Sequence, residues 1–235
     1  HTLAQSLRIK SRIKRIVRKI FPSKIINLIK YLLKKDLNTL KEKEYSYSEL
    51  PYSDRVKENI QKFYNKPCIS IIMPVYNVEP KWLNLAIKSI ENQWYDNWEL
   101  CIVDDNSQNP KTLEFLKNIN NPKVKIKYLK ENLNISGASN VALSMAIGEY
   151  IALMDNDDEI TSNALYEVVK IINEKKSEFI YSDEDKLELN GKFCAPHFKA
   201  NFSPDMFLSQ NYISHFGIIK KDLVDKVGGF SLGLE

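Results

Sequence analysis

Glycine is scarce in this sequence, at seven of 235 residues, and cysteine and histidine contribute only three each. These shortages exclude several chemistries. No Gly-x-Gly-x-x-Gly and no P-loop occurs, so the backbone cradles with which dinucleotide-binding and many nucleoside-triphosphate-binding domains grip a phosphate chain are missing. Cys68, Cys101 and Cys194 have no paired spacing, and two of them sit inside the apolar runs CISIIM and ELCIV. They are expected to be buried thiols of a cytosolic protein, not a disulfide or zinc framework. No uninterrupted apolar run reaches the ~18 residues needed to span a bilayer, and no cleavable signal is expected from the residues given. His197 and His215 lack metal-ligand spacing, which favours structural roles for both.

Charge is abundant but unevenly placed. The net charge is +4, yet residues 1–43 hold 13 Lys/Arg against two acids, leaving 21 basic and 28 acidic groups in the remainder. The basic character is local, which argues against a nucleic-acid-binding core. Within residues 1–35, Ile9, Ile13, Ile16, Val17 and Ile20, then Ile25, Ile26, Ile29, Leu32 and Leu33, recur at helical spacing, and Pro22 divides them into two helices. Arg8, Arg12, Arg15 and Arg18 fall largely off this apolar stripe. Such an extension can lie on an anionic membrane surface, on the cytoplasmic face of the plasma membrane, or it can pack on the core or a partner subunit. Residues 36–66 read as a polar linker followed by a short helix capped by Ser53. A start at His1 and an end at Glu235, directly after VGGFSLGLE, lead us to expect a fragment cut short within its last domain.

From residue 67 the pattern changes, and a hydrophobic share of 43% supplies material for a core. CISIIMP, WELCIVDD, VKIKYL, EYIALMD and EFIYSDED are expected strands. Between them lie amphipathic segments: one carrying Trp82, Leu85, Ala86, Ile87 and Ile90, one started by Asn109 and Pro110, one ended by Gly148, and SNALYEVVKIINEKK. This alternation predicts an α/β fold, a mostly parallel sheet flanked by helices over residues 67–235. Past Lys186 we expect a hairpin turning at Asn190–Gly191 and one strand, ISHFGII.

In such sheets ligands bind outside the carboxyl ends of the strands. Four ends here carry unusual residues: Pro74, Val75, Tyr76 and Asn77; Asp104 and Asp105; Asp155, Asp157 and Asp158; and Asp183, Glu184 and Asp185. Carboxylates alone repel a pyrophosphate, but Mg²⁺ or Mn²⁺ held by one or two of them leaves coordination positions for phosphate oxygens. A divalent-metal nucleotide site is therefore expected. Asp pairs also serve exposed turns and helix caps, so the repetition of such acids in register, and not any one pair, carries the argument.

SIIMPVYN, IVDDNS, N-x-S-G-A-S-N with A-x-G-E-Y-I, and LMDNDDE together resemble, in that order, the motifs of inverting family 2 glycosyltransferases of the GT-A (Rossmann-like) fold. The later YSDEDK, FKANFSPD, QNYISH and VGGF resemble bacterial members that build O-antigen, capsule or cell-wall polysaccharide, including rhamnosyltransferase-like ones. The resemblance implies a UDP- or dTDP-sugar donor, a glycan or lipid-linked glycan acceptor and a divalent cation. It places Pro74, Val75 and Tyr76 at the nucleobase, Asp105 or Asp104 on the base's imide N–H, Gly137 and Asn140 beside the donor, and Asp157 and Asp158 at the ribose and the metal, with Asp155 supporting them in binding the nucleotide sugar. Asp183, Glu184 and Asp185 become candidates to face the sugar or acceptor, with the main general base expected beyond Glu235. Lys199 is a candidate for donor phosphate or acceptor charge, and Asn211 and His215 for the acceptor cleft. The other reading is a non-catalytic nucleotide-sugar-binding or scaffolding module of a polysaccharide assembly complex.

Overall fold

The computed structural model describes residues 47–233, residues 49 and 189 excepted. The expected basic helices and most of the linker lie outside the described residues.

A six-stranded sheet has the order β3-β2-β1-β4-β8-β5. Its strands are β1 (Ile69–Val75), β2 (Trp98–Asp104), β3 (Val124–Tyr128), β4 (Tyr150–Leu153), β5 (Phe179–Tyr181) and β8 (Gly217–Lys220). The first four run parallel, and β8 enters antiparallel between β4 and β5. Helices α1 (Asp54–Lys62), α2 (Pro80–Glu91), α3 (Pro110–Lys117), α4 (Asn134–Met145) and α5 (Ala164–Lys175) alternate with the strands, and α6 (Pro204–Ser209) and α7 (Lys221–Lys226) flank β8. Strands β6 (Glu184–Leu187) and β7 (Phe193–His197) form a separate hairpin, with Gly191 at φ +82° in its turn.

The near-continuous apolar runs of β1 and β2 follow from burial on both faces. Side chains alternate between them: Ile71, Met73, Leu100, Ile102 and Ala152 join one cluster with α2 and α5, while Ile72, Cys101, Val103 and Ile151 join another with Ala138 and Ala142 of α4. Small residues on α4 let that helix approach the sheet closely. On α2 the buried stripe is Leu83, Ala86, Ile87 and Ile90, one helical face at i, i+3, i+4 and i+7. Trp82 and Leu85, named with Ala86, Ile87 and Ile90 among the apolar residues of this helix, each sit one residue before a member of that face and are only partly buried, while Leu83 takes the buried place.

Three further expectations are corrected. EFIYSDED is not one strand: it pairs with β8 to Tyr181, breaks at Ser182 and Asp183, and resumes in the hairpin. Of ISHFGII only Gly217 onward is strand. Gly148 does not end α4, which stops at Met145. It is required because a Cβ there would meet the Cys68 carbonyl at 2.5 Å and Ser70 Oγ at 2.6 Å.

Gly148 belongs to a polar knot at the amino end of the sheet, opposite the expected site. Its N–H donates to Ser70 Oγ (2.8 Å), which donates to Glu99 Oε1 (2.5 Å), and that oxygen also takes the Ile147 N–H (2.7 Å). Lys125 pairs with the other oxygen at 2.5 Å. Burial works to raise the Glu99 pKa, but Lys125, Ser70 and the Ile147 amide together hold it below the ordinary value. A carboxylate with a depressed folded pKa adds stability above its unfolded pKa and loses it as pH falls through the folded one. Glu99→Ala is expected to cost about 2–4 kcal/mol at pH 7, because it orphans buried partners. Urea unfolding should show that gap narrowing below pH 4.

Candidate functional site

The chain leaves β1 for β2 and β3 on one side, then returns through α4 to β4 on the other. The crevice beyond the carboxyl ends of β1 and β4 is thus a topological switch point, where backbone groups diverge and leave room for a ligand. A cleft of about 540 Å³ opens there, lined by Pro74, Val75, Tyr76, Asp105, Asn132, Asn134, Ile135, Asp155, Asn156 and Asp157.

Its walls are coupled by asparagines. Asn77, at φ +52°, accepts the N–H groups of Gln108 (2.7 Å) and Asn109 (2.9 Å) on Oδ1 and donates its own to Ser107 Oγ (2.8 Å). The loops after β1 and β2 are thereby one unit. Asn156 Nδ2 reaches the Pro74 carbonyl (2.8 Å), fixing the acidic turn against β1. Asp105, 3% exposed, accepts the Leu133 N–H on Oδ1 (2.7 Å) and places its carboxylate in the cleft wall. Tyr76 is 51% exposed and lines the cleft, where an aromatic ring can stack on a base. α4 starts at the cleft, where Asn132 Oδ1 accepts the Asn134 N–H (3.1 Å), and Asn134 and Ile135 of its first turn line the wall.

Other expected donor residues lie elsewhere. Asp104 is 2% exposed and accepts the Ser107 N–H (3.2 Å) beneath the loop. Gly137 is buried inside α4, where a Cβ would stand 2.6 Å from Leu133 Cβ. Asn140 exchanges two hydrogen bonds with Phe230, each of 2.8 Å. None of the three lines the cleft. Gly137 permits close packing against Leu133, and Asn140 anchors Phe230 after the Gly228–Gly229 turn.

A second cavity, of about 710 Å³, lies past the acidic turn and is lined among others by Asp158, Asp183, Glu184, Asp185, His197 and His215. Asp155 and Asp158 meet His215 between the two spaces: His215 Nε2 is 3.6 Å from Asp155 Oδ2, and Nδ1 is 3.6 Å from Asp158 Oδ2. One ligand atom from each of the three lies within 4.8 Å of the others, a donor set of two oxygens and one nitrogen that fits a divalent ion. Burial raises the Asp158 pKa, His215 opposes that, and Asp155, Asp157 and Glu184 push it further up. Such mutual repulsion is what a cation would relieve. Asp157 is exposed and faces the cleft outside this cluster. His215 comes from the loop before β8; spacing could not reveal it, and only the QNYISH pattern pointed there.

Glu184 is poorly suited to take a proton. One oxygen meets His197 Nδ1 (3.1 Å), and the other accepts Lys199 Nζ (3.0 Å) and the His215 N–H (3.3 Å). Against the upward push of burial, His197 and Lys199 hold its pKa below the ordinary value. Asp183 accepts the Lys199 N–H (2.7 Å).

The sequence profile described as glycosyl transferase family 2 matches residues 70–228. The chain belongs to that family. A similar protein is an uncharacterised one of Sinorhizobium fredii, 40% identical over 184 residues, which are 77% of this chain and 20% of that protein. Another is the UDP-Glc:α-D-GlcNAc-diphosphoundecaprenol β-1,3-glucosyltransferase WfgD of Escherichia coli, 34% identical over 134 residues, 54% of this chain and 51% of that one. Among solved structures, S. aureus TarS in complex with UDP-GlcNAc superposes with a TM-score of 0.53 at 25% identity, covering 69% of this chain and 48% of that one. This family 2 chain therefore has the GT-A fold expected from its motifs, and it spans about half or less of the length of these relatives. Among the described residues no helix is long and apolar enough to cross a membrane.

Proposed function

We propose that this family 2 chain is the donor-binding core of an inverting, metal-dependent glycosyltransferase that moves a sugar from a uridine diphosphate to a hydroxyl of a growing bacterial surface glycan. The observation that carries the reading is the turn Asp155–Asp158, which borders both cavities and meets His215 between them. In this reading the nucleoside occupies the 540 Å³ cleft, its base stacked on Tyr76 and its imide N–H donated to Asp105, and Asp157 meets the ribose. The diphosphate extends toward Asp155, Asp158 and His215. A divalent ion held by these three residues would offset the charge of the leaving diphosphate. Mixed oxygen and nitrogen donors suit Mn²⁺ better than Mg²⁺.

The acceptor then approaches through the 710 Å³ cavity, on the far side of the acidic turn. Its hydroxyl oxygen bonds the anomeric carbon as the carbon–diphosphate bond breaks, inverting configuration, and a carboxylate base takes the proton. The names of WfgD, a UDP-glucose enzyme acting on a diphosphoundecaprenol-linked sugar, and of TarS bound to UDP-GlcNAc support uridine, and the first of them supports a lipid-linked acceptor. Residues 1–35, with their excess of Lys/Arg, would hold the protein at an anionic inner membrane face.

Release of UDP from UDP-sugars, followed with and without a chelator in the complete protein, tests the reading. Chelator-sensitive turnover is expected. Tight UDP-sugar binding without turnover would point instead to the non-catalytic module. Tyr76→Ala is expected to raise the UDP dissociation constant roughly tenfold, since stacking on an aromatic ring is worth about 1–3 kcal/mol. Calorimetry with UDP and with ribose 5-phosphate should separate the two, the latter binding equally well to both proteins.

A further inference from the structure

Lys199 was expected to meet an anionic ligand, yet its side chain is 1% exposed. Its ammonium donates to Glu184 Oε2 (3.0 Å), to the Ile213 carbonyl (2.6 Å) and to the His215 carbonyl. All three of its protons are thereby committed. Glu184 returns to the same place: the oxygen that pairs with Lys199 also accepts the His215 N–H (3.3 Å). One ion pair thus grips both backbone groups of His215. Its neighbours reinforce the grip, since Asp183 accepts the Lys199 amide (2.7 Å) and the Phe216 N–H donates to Ser182 Oγ (3.2 Å).

The segment so held has no regular structure of its own, lying between α6 and β8. The backbone bonds that continue the sheet end at Phe216, whose carbonyl accepts the Ser182 N–H (3.3 Å), one residue short of His215. What places that ring 3.6 Å from both Asp155 and Asp158 is the clamp on its backbone. A lysine meant for phosphate would need a path to the cleft, and this one has none.

We propose that Lys199 and Glu184 are positioning residues for the cation site: their ion pair, with Lys199 buried and Glu184 partly exposed, holds the His215 backbone so that the imidazole stands between Asp155 and Asp158. This rests on the reading of Asp155, Asp158 and His215 as that site. Residues that orient a metal ligand typically contribute about 10–100-fold to metal affinity. A clamp acting through His215 has a signature that general loosening of the fold lacks: its effect vanishes once His215 is gone.

The test is a double-mutant cycle on Mn²⁺ affinity, read by the electron paramagnetic resonance of free Mn²⁺ in the complete protein. Lys199→Met and His215→Ala are each expected to weaken Mn²⁺ binding by about 10–100-fold, and the double variant to bind no worse than His215→Ala. UDP affinity in chelator should stay at the wild-type value throughout. Additive losses in the double variant would overturn the clamp while leaving the cation site standing. Unchanged Mn²⁺ affinity in His215→Ala would remove the site itself, and the clamp with it. Because Lys199→Met strips Glu184 of its ammonium partner and can cost folding stability, Glu184→Gln runs through the same cycle with the same criteria.

Discussion

Asp158→Asn is expected to lower sugar transfer by about 10²–10³-fold, because the stabilisation of a leaving diphosphate by a bound ion amounts to several kcal/mol and each 1.4 kcal/mol is tenfold. Asp157→Asn should cost only about threefold to tenfold, the worth of one hydrogen bond to the donor. Steady-state transfer rates, with Mn²⁺ titrations of both variants, decide between them. If Asp157→Asn is the variant that loses Mn²⁺ while Asp158→Asn keeps it, the ion belongs on Asp157. The pH dependence gives an independent check. Burial and neighbouring acids raise the Asp158 pKa, so protons compete with the ion above the ordinary aspartate range, and Mn²⁺ affinity should fall as pH descends through it. A raised folded pKa also means that the ionised carboxylate opposes folding at neutral pH. Metal-free Asp158→Asn should accordingly melt at a higher temperature than the wild type, even as activity disappears.

The second large effect is expected at Asp105. Asp105→Asn preserves an oxygen for the Leu133 N–H, so the loop after β3 keeps its anchor, while the atom facing the base becomes a donor. Two donors then oppose each other where a uracil imide N–H should bind a carboxylate. Loss of a charge-assisted hydrogen bond, about 1.5–3 kcal/mol, with an unpaired group left behind, predicts UDP binding weaker by roughly 10²-fold. CDP should lose far less, since the corresponding ring nitrogen of cytosine is an acceptor. Calorimetric titration with both nucleotides checks this. Equal losses would assign Asp105 to the loop alone.

Much of the architecture was legible because burial on both faces writes itself as continuous apolar strands, and caps such as Ser53 and Asn109 mark helix starts. The antiparallel entry of β8 between β4 and β5 was not, since nothing local distinguishes a strand that pairs with one neighbour from a strand that pairs with another. The break after Tyr181 escaped for a related reason: YSDED carries a strand-like pattern on both sides of the point where the chain changes sheets. Leu83 shows the limit at finer scale. Periodicity identified α2 as amphipathic and included Ala86, Ile87 and Ile90 of its buried face, but where apolar residues are neighbours it does not say which of Trp82 and Leu83 turns inward.

For the site the division is sharper. Sequence alone determined the family, the α/β order, and the acids and Tyr76 that gather at strand ends, because the type and spacing of residues within one loop are local properties. Tertiary structure decided which of those acids face one another. It brought His215 to Asp155 and Asp158 from a distant loop, turned Asp157 toward the cleft, and withdrew Asn140 and Lys199 into packing. The direction in which a side chain points from an irregular segment depends on long-range hydrogen bonds such as those of Lys199 to Ile213 and His215, and no stretch of neighbouring residues encodes them.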